Sequence, residues 1–341
     1  MNSTHHIQSL WHPVQIGNLT IPGNVFLAPL AGYTDRAFRS ICIDYGAALT
    51  YSEMVSAEGV ARKGANSLQL MERSENEHLF AIQLFMPDAE VVRRALPTVL
   101  QFNPSIIDIN CGCPVPKVIK TGAGSSLLRH PEKIYDIVQT IVDSCTVPVS
   151  IKIRTGWDAD SINWKDTVDA ALRAGVSMIT MHARTKAMGY SGTADWQSLA
   201  DLKRYIVTLG SNIPIFGSGD LYTAQDVRSM LLQTGIDGVM IARGAIGNPF
   251  IFTDAAALLT EEDVIRHHSI HERVQTMQKQ LLLHSESVGE ALACRQMRKH
   301  AAAYVKHMAN ASKIKRELVI CKTIADYEKV FSAMLEIEND W

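Results

Sequence analysis

Ile106-Ile-Asp-Ile-Asn-Cys-Gly-Cys-Pro-Val-Pro-Lys117 begins as a β-branched run and breaks after Asn110 into a turn with two cysteines and two prolines. A Gly-rich loop, Lys120-Thr-Gly-Ala-Gly-Ser-Ser126, follows closely. The run reads as a buried strand and the break as its exit. Such a position holds a side chain at the rim of a strand scaffold, where a thiol can be nucleophile, metal ligand or acid. Cys111 and Cys113 can equally be small apolar fillers, as most free cysteines are.

Similar runs lie on either side: Asn24–Ala28, Ala48–Ser52, Leu79–Gln83, Val149–Ile153, Met178–His182, Ile213–Gly217 and Gly238–Ala242. Between them, Asp35–Tyr45, Ala89–Phe102, Pro131–Cys145, Trp164–Ala174 and Ala224–Thr234 show helical spacing. Strands alternating with helices predict a parallel sheet. At 341 residues the economical form is an α/β chain with a closed (β/α)8 TIM barrel of ~250 residues and an appendage. An open doubly wound sheet is the alternative, but no Gly-x-Gly-x-x-Gly opens a first helix. From about Thr260 helical spacing takes over, so residues 1–255 are expected to form the barrel and 256–341 a smaller all-α domain.

In such barrels the chemistry sits at the C-terminal strand ends. Those ends read Pro29, Glu53, Gln83, Asn110, Lys152, His182, Ser218 and Arg243, nearly all polar or titratable. Gly217-Ser-Gly-Asp220 and Arg243-Gly-Ala-Ile-Gly-Asn-Pro249 follow strands seven and eight, the usual phosphate site of the fold, and Arg243 could add a charged contact. A phosphate-bearing cofactor over the barrel fits, flavin mononucleotide (FMN) in particular. Lys152 and His182 would then neutralise negative charge on a reduced flavin.

Composition excludes several classes. With 47% hydrophobic and 20% charged residues the chain reads as an ordinary globular protein. No apolar run approaches the ~18 residues that span a membrane. The segment Met1–Gln8 lacks the basic start and apolar core of a secretory signal. Six cysteines, at 42, 111, 113, 145, 294 and 321, are too few for a disulfide scaffold and fit a reducing cytoplasm. A zinc site built on Cys-x-Cys needs two further ligands, and the spacing offers none, so no metal is expected. Nothing demands more than a monomer. The net charge of −2 hides a cluster: Arg295 to Lys322 holds eight Lys/Arg against Glu317 alone. Met297, Ala301, Tyr304, Val305 and Met308 form one apolar stripe, with Arg298 and Lys299 largely off it. With Lys117, Lys120, Arg154, Arg184 and Lys186 near the strand ends, a basic cleft suited to RNA phosphates is expected.

These residues resemble a known family. Ala28-Pro-Leu-Ala-Gly-Tyr-Thr-Asp-Arg-Ala-Phe-Arg39, Asp108–Pro114 with Lys120–Gly124, Lys152–Trp157, His182–Lys186, Ser218–Asp220 and Ala242–Gly244 follow the order of the tRNA-dihydrouridine synthase motifs. The Arg298-Lys-His300 helix is similar to the family's tRNA-binding domain, and the Lys-Ile-Arg-Thr-Gly-Trp form and the tail look most like the bacterial B-type branch. The resemblance implies an enzyme that uses FMN, recharged by NADPH or NADH, to reduce the C5=C6 bond of selected uridines in tRNA. It implies that Cys113 protonates C5 while hydride reaches C6 from the opposite face. It assigns flavin contact to Pro29, Leu30, Ala31, Gln83, Lys152, His182, Ser218, Gly219, Asp220, Ala242 and Arg243. Asn110 and Arg154 match positions near the base, and Arg184, Lys186, Arg298 and Lys299 are expected on the tRNA side. The chain departs from the family at Cys111 and Leu30, where Met is common, and at Ser218, where Asn is usual.

The chemistry is consistent with first principles. Hydride addition at C6 builds enolate-like charge that an acid at C5 quenches. A thiol pKa of ~8.5 keeps Cys113 protonated at neutral pH. The target base must be splayed out of a folded tRNA, with Tyr33, Tyr190 and Trp157 as stacking candidates. Two competing readings are an FMN barrel acting on a small molecule, which has no use for basic C-terminal helices, and a non-catalytic RNA-binding barrel, which has no use for Cys113, Lys152 and His182. Cys111 and Cys113 leave the strand at a turn, so no disulfide between them is expected.

Overall fold

The structure is a computed structural model that describes residues 9–260, 266–306 and 308–338. Met1–Gln8, read above for a signal peptide, lie outside the described residues. Eight barrel strands are formed: β1 (Val25–Leu27), β2 (Thr50–Tyr51), β3 (Phe80–Phe85), β4 (Ile106–Asn110), β5 (Val149–Arg154), β6 (Met178–His182), β7 (Ile215–Ser218) and β8 (Gly238–Ile241). They pair in parallel in the order β1-β8-β7-β6-β5-β4-β3-β2. Leu27 N–H donates to Leu49 O and Ala48 N–H to Val25 O, both at 3.0 Å, which draws the first two strands together and all but closes the ring.

Helices α1 (Arg36–Asp44), α2 (Ala89–Leu100), α3 (Pro131–Ser144), α4 (Trp164–Arg173), α5 (Trp196–Thr208), α6 (Ala224–Thr234) and α7 (Ile251–Leu259) lie along the chain between and after these strands. Several start where a side chain can accept an otherwise unpaired N–H: Asp35 caps α1, Asp88 caps α2, and Thr223 with Asp226 forms a capping box on α6.

Strand alternation divides the side chains into two sets. Ile82, Leu84, Ile107, Ile109, Cys111, Ile151, Ile153, Ile179 and Met181 share one apolar cluster with Val92, Ile137, Val168 and Val227 of the surrounding helices. Phe26, Tyr51, Ala81, Ile106, Met178, Phe216 and Met240 form a second cluster with Val14, Ile16 and Ile21. These last three come from an antiparallel hairpin, Val14–Ile16 with Leu19–Ile21, which plugs the N-terminal end of the barrel. Its Gly17 takes a left-handed φ of +57°, as a tight turn requires.

Helices α8 (Ile270–Val288), α9 (Glu290–Tyr304), α10 (Ala311–Leu318) and α11 (Ile324–Glu338) have their own core. The stripe residues Met297, Ala301, Tyr304 and Val305 are buried in it, and Met308 packs against it. The border expected at residue 255 runs through α7. Ala255 and Leu259 of that helix belong to the barrel core, because the eighth βα unit needs its covering helix. The two parts meet closely. Gly247 sits where a Cβ would lie 2.4 Å from the α9 backbone at Ala303 and Tyr304, so that glycine is required by helix packing. Tyr45 OH shares a 2.7 Å hydrogen bond with Thr276 Oγ1, and Lys279 Nζ reaches Asp44 Oδ2 at 2.7 Å.

Candidate active site

Continuing each inward-facing series toward the C-terminal end replaces apolar residues with polar ones. Ala81 gives way to Gln83, Ile106 to Asp108 and Asn110, Met178 to Thr180 and His182, and Phe216 to Ser218. Register sets Asn110 beside Lys152, Arg154 beside His182, and His182 beside Ser218. The strand-end residues of the sequence reading therefore meet at one mouth.

Cys111 and Cys113 separate at this rim. Cys111 is fully buried and points into the barrel–helix core, where burial drives its thiol well above the ordinary range. Cys113 is half-buried on the turn and free, as Cys111 is. Burial raises its pKa as well, against the pull of a backbone N–H at Val115 and of Arg154 and Lys152, so it stays a thiol at neutral pH. The Cys113 peptide is held from several sides. Asn110 Oδ1 accepts the N–H of Gly112 at 3.2 Å and of Cys113 at 2.9 Å. Ser125 N–H donates to Cys113 O at 3.1 Å, and Arg154 Nε to Gly112 O at 2.8 Å. Gly124, at φ +61°, must lack a side chain, since a Cβ would lie 2.9 Å from Cys113 O.

Basic side chains continue around the rim from the next strand. Burial and the neighbouring Arg154 lower Lys152 to about 8. His182 falls to about 2, chiefly through burial, then through Lys152, Arg154, Arg184 and Arg243, so its imidazole is neutral. Arg243 lies over the rings of Tyr190 at 4.9 Å and Tyr222 at 5.4 Å, with Nη2 3.5 Å from Asp220 Oδ1. Tyr190 is 56% exposed over this group.

Pro29, Leu30 and Ala31 form the loop after β1. Thr34 bonds to Leu30 through both N–H and carbonyl, and Glu53 accepts from Gly32 N–H. The buried Arg39 donates to Thr34 O at 2.9 Å and pairs with Glu77 at 2.8 Å, which explains the arginine that ends the first motif. Lys299 of α9 reaches the same loop, 4.8 Å from the Tyr33 ring. Gly219, at φ +126°, and Asp220 follow Ser218, and Ala242 precedes Arg243 at the end of β8.

Three arginines expected to face the base or the tRNA are turned inward. Arg154, 2% exposed, also donates to Thr185 O at 2.7 Å and Gly189 O at 2.9 Å. Arg184 donates through Nη2 to both oxygens of Asp220, at 2.7 and 2.8 Å, and to Gly192 O at 2.6 Å. Arg298 donates twice to Cys321 O. Arg154 and Arg184 hold loops, because a buried guanidinium needs acceptors for its several donors, and the partly buried Arg298 holds the segment after α10. Lys186 lies 4.1 Å over Trp157 at the rim. Exposed charge in the tail comes instead from Lys306, Lys313, Lys315 and Arg316. The interior Asp108 and Ser150 escaped the strand-end rule because they lie below the rim.

A family model described as Dihydrouridine synthase (Dus) matches residues 26–337. The chain is 41% identical over 328 residues to a "Probable tRNA-dihydrouridine synthase" of Treponema pallidum (strain Nichols), covering 94% of this chain and 96% of that protein. It is 33% identical over 293 residues to "tRNA-dihydrouridine synthase B" of Pasteurella multocida (strain Pm70), covering 86% and 87%. Among solved structures, an old yellow enzyme homologue from Zymomonas mobilis aligns with a TM-score of 0.52 at 13% identity over 78% of this chain and 96% of that one. Histamine dehydrogenase from Rhizobium sp. 4-9 aligns at 0.54 with 14% identity over 81% and 51%. At those identities the likeness is one of fold.

Proposed function

This chain belongs to the dihydrouridine synthase family, and from that premise we propose that it reduces the C5=C6 bond of uridines in tRNA, with FMN as resident cofactor. The branch drawn from Lys152–Trp157 and the tail agrees with relatives named as B-type synthases.

The observation that supports the reading is the mouth itself: a protonated thiol on the β4 turn beside Lys152 and Arg154 of β5, with a neutral His182 on β6 and Arg243 after β8 at the same rim. The residues fit FMN. Lys152 and His182 are both driven toward their neutral forms by burial and by crowding among cations, and a bound anion relieves that crowding. Lys152 and His182 would hold the flavin ring, the loop Pro29–Ala31 and Gln83 would border it, and Ser218–Asp220 with Ala242–Arg243 would take the phosphate side. When bound, FMN supplies hydride to C6 and is recharged by NADPH or NADH. Cys113 delivers its proton to C5 from the other face, and the hold on its peptide keeps the thiol at one place. Asn110, beside it, would lie next to the base while its amide holds the Cys113 turn. Tyr190 offers a ring at the rim for the extruded nucleotide. Lys186, Lys299, Lys306 and the exposed cations of α10 meet phosphates. The site calls for neither a metal nor a second subunit, and the enzyme works in the cytoplasm, where unmodified tRNA is found.

The test is to record the flavin spectrum of the purified protein, then supply NADPH and tRNA lacking dihydrouridine. Bleaching by NADPH, recovery on adding tRNA and formation of dihydrouridine support the reading. A flavin that is reduced but indifferent to tRNA favours the small-molecule reductase instead.

A further inference from the structure

Below the Cys113 turn, Asp108 and Ser150, which have no part in the proposed reaction, join Gln83 and Asn110 in one polar network. Asp108 is fully enclosed in the barrel. Its two oxygens accept from Gln83 Nε2 at 2.7 Å and from Ser150 Oγ at 2.6 Å. Gln83 Oε1 accepts from Asn110 Nδ2 at 2.8 Å, and Asn110 Oδ1 accepts the Gly112 and Cys113 N–H groups.

Each link has a direction. As an ionised carboxylate, or as an acid whose proton lies on the Oδ1 beside Ser150, Asp108 accepts at Oδ2, so Gln83 turns its NH2 toward Asp108 and its oxygen toward Asn110. Asn110 must then give its NH2 to Gln83 and its oxygen to the turn. Were Gln83 reversed, Asn110 would present its NH2 to two N–H groups, donor against donor. Stability alone gives no reason for an acid here, because a buried carboxylate is costly and a well-packed apolar residue serves as well or better. Lys152, Tyr51 and Cys111 are the titratable neighbours, and burial outweighs the hydrogen bonds and Lys152, leaving Asp108 at about 7.

We propose that Asp108 is a positioning residue for proton delivery: through Gln83 and Asn110 it sets the amide polarity that fixes the Cys113 peptide and thereby the thiol. The proposal rests on the reading of Cys113 as the acid in uridine reduction. Ser150 anchors the carboxylate but carries no polarity toward the turn, so its loss should matter far less.

The experiment compares wild type, Asp108→Asn and Ser150→Ala. Asparagine can present either sign to Gln83, so the direction of the chain is lost with little change in size. In D108N, FMN content and the rate of flavin reduction by NADPH should stay within about twofold of wild type, while single-turnover oxidation by tRNA slows ~10- to 100-fold, the scale of a small misplacement of a reacting group. In flavin-free protein the native alkylation rate of Cys113 by iodoacetamide, read at its own peptide, should change in D108N and remain near wild type in S150A. Unchanged oxidation and alkylation in D108N would overturn the proposal, and so would equal losses in D108N and S150A, since a merely structural role moves both. Should D108N not fold, Gln83→Glu attacks the same link from its other end: altered Cys113 alkylation in the flavin-free protein supports the proposal and an unchanged rate overturns it. If wild-type reduced flavin is not oxidised by tRNA, the uridine reading fails, while the alkylation comparison still decides whether Asp108 holds Cys113.

Discussion

At the lower end of the barrel Phe26 and Phe216 stack at 4.2 Å among Ile106, Met178 and Met240, sealed by the hairpin. At the upper end β3 to β7 present Gln83, Asn110, Lys152, His182 and Ser218, in a setting that lowers the pKa of Lys152 and His182. Backbone and pairing are the same at both ends. Only the side chains differ, and with them the task. The lower end removes apolar surface from water and stabilises the ring. The upper end gathers Lys152, His182, Arg184 and Arg243 around the carboxylate of Asp220, and burial and crowding push Lys152 and His182 toward their neutral forms. Cys111 and Cys113 repeat this contrast within one turn, one in the core and one at the mouth.

The contrast is sharpest in a pair of substitutions. Cys113→Ala should lower dihydrouridine formation ~10²- to 10⁴-fold, the usual worth of a positioned acid, with flavin still bound. Cys111→Ala should leave turnover nearly unchanged and lower stability by about 1 kcal/mol, measured by denaturant unfolding. At the lower end, Phe216→Ala should cost about 3–5 kcal/mol of stability, yet turnover per folded molecule should be unaffected. If F216A instead raised the KM for tRNA, the two ends would not be separable.

A smaller effect is expected beyond the barrel. Lys313, Lys315 and Arg316 are exposed on α10 and make no ion pair among the described residues. Changing all three to Ala should reduce the slope of log tRNA affinity against log salt by about 2–3 while NADPH oxidation at the mouth stays normal. The mildest test concerns pH. His300 of α9 is buried against the barrel, beside Tyr33, Phe38 and Asp35, and burial holds its pKa down at about 4. The unfolded chain takes up that proton near 6.5 and the folded chain only near 4, so stability present above 6.5 is lost as pH falls through this window. His300→Gln should flatten that limb of the stability curve in flavin-free protein.

Much of this contrast was readable beforehand. Ile106–Asn110 and Met178–His182 are strands at their expected bounds, because β-branched and apolar runs closed by polar residues leave little choice. The strand-end rule gathered Gln83, Asn110, Lys152 and His182 correctly into one mouth. The hairpin was missed although Val14-Gln-Ile-Gly-Asn-Leu-Thr-Ile21 carries its own signal, a Gly-Asn turn between alternating residues. The roles of Arg154, Arg184 and Arg298 were not legible, because a sequence shows that a residue is cationic but not which carbonyls it reaches once folded. Asp108 was hidden for a similar reason. Inside an apolar run an acid reads as an interruption until the strands beside it supply Gln83 and Ser150.

The decisive measurement is single-turnover mixing of NADPH-reduced protein with tRNA lacking dihydrouridine, following flavin oxidation and product together in wild type and Cys113→Ala. Wild type should oxidise its flavin at the rate dihydrouridine appears, and C113A should retain and reduce its flavin but stall at this step. Equal rates in the two proteins would contradict the assignment of Cys113 as the acid at the barrel mouth.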